Sequence, residues 1–77
     1  MTNINSTARP ARLTAARVIK LMHAGAALHC SYGPVVWALD NGWEVSTPVA
    51  LKVINHPGIA AMGDGLFGFS QTFRHQN

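Results

Sequence analysis

The chain has 77 residues, a formal net charge of +3 and a single cysteine, Cys30. That length excludes a second domain and gives one modest core, while the lone cysteine excludes an internal disulfide and fits a reducing compartment. Charged residues are only 12% of the chain against 48% hydrophobic ones, too few to coat a lone monomer, so a partner or a second copy is expected to cover apolar surface.

Residues 1–8 are polar and aperiodic, and positions 1–10 read as a flexible N-terminal tail ahead of a single domain over 11–77. Thr14 suits an N-cap, Leu13 and Val18 can form a hydrophobic staple across it, and Gly25 supplies a stop, which predicts a helix over about residues 15–24. Helical spacing puts Val18, Leu21, Met22 and Gly25 on one apolar stripe, with Arg17 and Lys20 pointing the other way. If Pro10 instead occupies the first turn, the helix starts earlier and Arg9 and Arg12 join the same basic face. Four of the six cations thus fall between Arg9 and Lys20, with no acidic residue before Asp40.

The middle of the chain reads as β structure. Ala26 to Tyr32 and Val35 to Leu39 are apolar or aromatic runs separated by Gly33-Pro34, and Asp40-Asn41-Gly42 separates the second run from Trp43-Glu44-Val45. Asn-Gly between such runs predicts a hairpin with a type I′ turn, in which both central residues need positive φ. Ser46-Thr47-Pro48 then predicts a capped second helix over about 48–55, with Val49, Leu51, Val53 and Ile54 as its apolar set, Lys52 outside and His56-Pro57-Gly58 as its stop. Ile59 to Met62 and Leu66 to Phe73 look extended, joined by Gly63-Asp64-Gly65, with Arg74 ending the last strand. The predicted fold is a small α+β domain, two short helices packed on an antiparallel sheet in the order α-β-β-β-α-β-β.

Targeting segments are not expected. Lys20, His23 and His29 interrupt the only stretch that has the flank of a signal peptide, and no apolar run approaches the roughly 20 residues of a membrane span. The reading is a protein of the bacterial cytoplasm with no membrane contact.

Groups for chemistry are sparse. His23, His29, His56 and His75 show none of the close pairings of a structural zinc site, so no metal is expected. His29 and Cys30 are adjacent on a predicted strand and face opposite ways, so they cannot act as base and nucleophile. Asp40 and Asp64 sit in glycine-containing turns, which leaves Glu44 as the one other carboxylate. Gly63-Asp64-Gly65 lacks the spacing and trailing lysine of a phosphate-binding loop. Neither an enzyme nor a cofactor is expected. Trp37 and Trp43 flank the Asn-Gly turn, and Phe67, Phe69 and Phe73 share one strand face, either packed on the helices or exposed to a partner.

The run Gly63-Asp64-Gly65-Leu66-Phe67-Gly68-Phe69-Ser70-Gln71-Thr72-Phe73-Arg74, preceded by Trp43-Glu44-Val45-Ser46 and a short helix, resembles small uncharacterised proteins of proteobacteria and their phages over about residues 15–74. In size and lack of catalytic motifs the chain is also similar to phage-encoded anti-CRISPR proteins, which jam a host surveillance complex. Many of those are acidic mimics of DNA, whereas this chain is basic. The resemblance therefore implies docking on an acidic protein patch or near guide-RNA phosphates.

The leading expectation is a non-enzymatic inhibitor, encoded by a phage or mobile element, that docks on a host protein or ribonucleoprotein complex such as a CRISPR effector. The partner-binding set is Arg9, Arg12, Arg17, Lys20, Lys52, Arg74, Trp37 and Trp43, with nucleic acid as a secondary contact and a homodimer allowed by composition. The alternative is a small nucleic-acid-binding transcriptional regulator of winged-helix-like character, its Asn-Gly hairpin serving as the wing. Against that alternative, the predicted helices are separated by strands.

Overall fold

The computed structural model describes residues 13–63 and 70–76. Arg9, Pro10, Arg12, Phe67, Phe69 and the Asp64-Gly65 turn lie outside the described residues. Seven elements follow one another: α1 (Ala15–His23), β1 (Leu28–Ser31), β2 (Val36–Leu39), β3 (Glu44–Val45), α2 (Thr47–Ile54), β4 (Ile59–Ala61) and β5 (Ser70–His75). The expected α+β class and the α-β-β-β-α-β-β order are both present. None of the described helices is long and apolar enough to cross a membrane.

The limits of α1 follow from local chemistry. Thr14 is extended, and its Oγ1 accepts a hydrogen bond from the Arg17 N–H at 3.2 Å, a cap that contributes about 1 kcal/mol. Leu13 and Val18 are both buried on either side of it, as a hydrophobic staple requires. At the other end Gly25 adopts φ +116°, the Gly25 N–H donates to Met22 O at 2.9 Å and the Ala26 N–H donates to Leu21 O at 3.1 Å. Those two bonds make a Schellman stop, which needs a residue free to take positive φ.

The strands form one sheet in the order β3-β2-β1-β5-β4, every neighbouring pair antiparallel. Register and burial agree on its two faces. Leu28 pairs with Leu39 and Phe73, and Cys30 with Trp37 and Gln71, while His29 pairs with Ala38 and Thr72 on the opposite face. Leu28, Cys30, Trp37, Leu39, Val45 and Ile59 form one buried cluster with Leu13, Val18 and Met22 and with Ala50 and Val53 of α2. Both described helices therefore cover the same face of the sheet, and neither lies on the face bearing His29, Ser31, Val36, Ala38 and Thr72.

Four sequence expectations need correction. The β2–β3 connection is not a type I′ turn: no described residue other than glycine has positive φ, and the Gly42 N–H donates to Leu39 O at 2.9 Å with Gly42 at φ +92°. Leu39 pairs with Trp43 through a 2.9 Å bond, so the loop has three residues, a turn over Asp40-Asn41 closed by a left-handed glycine. Asn41 contributes through its side chain instead, its Oδ1 accepting from the Trp43 N–H at 2.9 Å. In α2 the buried residues are Ala50 and Val53, while Leu51 is 46% exposed; a run of apolar residues in an eight-residue helix outnumbers the positions its packed face can hold. Ser46 is the N-cap yet makes no side-chain cap bond, and Thr47 already belongs to the helix. Lastly, β5 continues past Phe73, so Arg74 lies within the strand opposite Ala60 rather than at its end.

Candidate functional site

The basic residues on α1 recur at three-residue intervals. Arg17, Lys20 and His23 are all exposed, and that spacing drifts slowly around the helix to give one long stripe. The first turn of α1 has no acidic residue, and its last turn carries Lys20 and His23, which complement the negative end of the helix dipole. Arg74 reaches the same end of α1, its Nη1 donating to Gly25 O at 3.5 Å. Lys52 is exposed on the last turn of α2.

The charges are spread unevenly over the sheet: Glu44 is far from Arg74, whereas Asp40, whose N–H donates to Ala27 O at 3.0 Å, shares the Arg74 end with one strand between them. The carboxylates among the described residues are Asp40, in the β2–β3 turn, and Glu44, on β3 at one sheet edge. Arg74 lies on β5, next to the opposite edge strand, and α1 packs beside β5. Arg17, Lys20 and Lys52 are exposed, and no ion pair forms among the described residues.

The two tryptophans are placed differently from one another. Trp37 is 7% exposed, in the core, its ring 5.9 Å from that of Phe73; inclusion of Trp37 in a partner-binding set is at odds with that burial, because β-strand alternation turns it to the helix-covered face with Leu39. Trp43 is half-buried against the same cluster. Phe73 also packs against the core, on the helix-covered face. The Trp37 indole Nε1 is buried and has no hydrogen-bond partner. Beside it a shallow groove of about 300 Å³ is lined by Val35, Val36, Trp37, Glu44, Val45, Ser46 and Thr47. Its one ionisable wall residue is Glu44, with Ser46 and Thr47 completing its polar wall.

Sequence spacing missed an imidazole row. His75, on β5, packs edge-on against His23 at the end of α1, ring centroids 4.7 Å apart at 78°, and lies 6.0 Å from His56 in the turn after α2. The Gly58 N–H donates to His56 Nδ1 at 3.1 Å, which places the proton of a neutral His56 ring on Nε2. A side chain at Gly58 would come within 3.0 Å of the His75 ring, so the glycine makes room for the row. The Nδ1 atom of His75 is buried without a partner. Positions 23, 56 and 75 carry no local spacing signal, since separate elements bring them together. Among the described residues, no group of three or more histidine, cysteine or carboxylate side chains is placed to hold a metal ion.

His29 stands apart, its Nδ1 3.1 Å from Thr72 Oγ1 on the open face. Cys30 is buried opposite it, and burial pushes its thiol pKa up, a hydrogen bond with Tyr32 offsetting only part of that rise. A buried thiol held protonated is the opposite of an activated nucleophile. Because the folded state keeps the proton, Cys30 contributes stability below the ordinary thiol pKa of about 8.5 and loses it as pH rises through the raised value. Thiol-specific labelling of the folded protein at neutral pH is expected to proceed only at the rate of unfolding. Rapid labelling under native conditions would show that Cys30 is not sealed beneath the helices.

The chain matches no protein-family model, no curated protein and no solved structure.

Proposed function

We propose that this protein works by docking rather than by catalysis, as a small inhibitor of the anti-CRISPR kind, phage- or mobile-element-encoded, that binds a host nucleoprotein complex in the bacterial cytoplasm. The observation that carries this reading is the basic stripe of α1: exposed cations with no ion-paired carboxylate among the described residues, and Glu44 at the far β3 edge. Uncompensated charge of one sign on one side steers encounter with an oppositely charged surface. Apolar contact area is available elsewhere, at Tyr32, Val35 and Val36 around the β1–β2 turn and at Leu51 and Met62.

A purified CRISPR effector complex supplies the test. The protein is expected to co-elute with it in gel filtration, and the double substitution Arg17→Glu with Lys20→Glu is expected to slow association at least tenfold at low salt, since steering raises on-rates by about 10–10³. Co-elution unaffected by the double substitution would remove α1 from the interface, and failure to co-elute would remove this target. No observation favours the winged-helix alternative over docking, because α1 and α2 are separated by three strands and form no consecutive helix-turn-helix pair.

A further inference from the structure

The exposed positions of α1 and its C-cap are Ala16, Arg17, Lys20, His23 and Ala24, with no apolar side chain larger than alanine. The exposed large hydrophobic residues all belong to other elements. The centre of a protein–protein interface is built on aromatic or aliphatic anchors seated in pockets, and the aliphatic side chains flanking this face, Ile19 and Leu21, are half-buried against the core rather than free to reach a partner. An interface with nucleic acid is polar and strongly positive, made largely of contacts to phosphate. The chemistry of α1 is that of the second kind.

We propose that the basic face of α1, with Arg74 at its C-terminal end, docks on the phosphodiester backbone of a nucleic-acid strand, and that His23 takes up a proton as it does so. The proposal rests on the docking reading above and names the component of the complex that α1 meets. His23 is the exposed member of the imidazole row. Around it stand Lys20 one turn earlier on α1, His75 and Arg74 on β5, and His56 after α2. These neighbours are bases; of the described carboxylates, Glu44 is on the far edge strand, while Asp40 shares the Arg74 end of the sheet with the Ala27 backbone between them and forms no ion pair among the described residues. A phosphate brought beside His23 supplies a counter-charge that no ion pair among the described residues gives it, and favours the imidazolium. Arg17, Lys20 and Arg74 then reach about three phosphates, and charged His23 makes about four. For a single strand the logarithm of affinity falls with the logarithm of salt by about 0.7 per phosphate, so the slope is about −2 without the imidazolium and about −3 with it.

Fluorescence anisotropy of the full chain with a labelled polyuridine oligonucleotide, and in parallel with labelled polyglutamate of equal charge, tests this at about pH 8 and about pH 5.5. The oligonucleotide is expected to bind, to lose about twentyfold in affinity between about 50 and 200 mM salt at the higher pH, and to show a slope steeper by about 0.7 at the lower pH. His23→Asn, checked for folding by thermal melting, is expected to abolish the steepening, whereas Glu44→Gln on the far edge strand β3 changes neither slope. Polyglutamate binding as tight as the oligonucleotide would overturn the phosphodiester assignment and leave docking on an acidic protein standing. Oligonucleotide binding with the same slope at both pH values would overturn the role of His23. Absence of binding to either polyanion at low salt would overturn the proposal and take the basic face out of the docking reading with it.

Discussion

Replacing Leu28 by alanine lowers the unfolding free energy by about 3 kcal/mol, measured by urea denaturation. Leu28 is fully buried on the central strand, paired with Leu39 on one side and Phe73 on the other, beneath residues of both helices. Truncation removes the transfer free energy of its side chain and leaves a cavity that two hydrogen-bonded neighbours hold open. Domains of this size have about 5–15 kcal/mol of stability at most and commonly sit near the lower end, so the variant is expected to be partly unfolded at physiological temperature. Ser31→Ala, exposed on the open face of the same strand, is the control and stays within about 0.5 kcal/mol of the parent. A Leu28→Ala loss below about 1 kcal/mol would mean that the strand is out of register, because a one-residue slip exchanges the two faces.

The second large effect separates the tryptophans. Trp37→Ala is expected to cost about 3–5 kcal/mol, because Trp37 fills the core beside Phe73. Half-buried Trp43 vacates less, and Trp43→Ala is expected to cost less than half as much. Trp37→Phe is expected to be nearly neutral, since the smaller ring leaves a gap but also removes a buried indole N–H that has no acceptor, a group whose desolvation costs about 1–3 kcal/mol. If Trp37 instead anchors a partner, Trp37→Ala will keep its unfolding midpoint and lose complex formation. That outcome would move Trp37 out of the core and back into the docking set.

Much of the framework was legible because it depends on neighbours in sequence. Thr14, Leu13, Val18 and Gly25 define α1 through bonds that span at most a few residues. Asp40-Asn41-Gly42 marks a hairpin through its own backbone preferences, although those preferences fit more than one turn type. Type I′ needs left-handed backbone at both central residues, and the three-residue loop here needs it only at Gly42, leaving Asn41 to bond the Trp43 N–H. The exposure of Leu51 is illegible in the sequence for a different reason. In a short helix made almost wholly of apolar residues the pattern has no polar contrast, so packing alone decided that Ala50 and Val53 go inside.

The candidate site divides along the same line. By itself the sequence determined that the chain is a small α+β domain with an amphipathic first helix whose Arg17 and Lys20 lie opposite Val18 and Met22, because helical periodicity depends only on the order of residues. Tertiary structure alone decided that Trp37 is interior, that Glu44 lies on the edge strand away from Arg74, and that His23, His56 and His75 form a row. Those facts depend on strand order and on how α1 lies against β5. Strand order in an antiparallel sheet is set by which apolar faces close over one another, a property of the whole chain that no local spacing encodes.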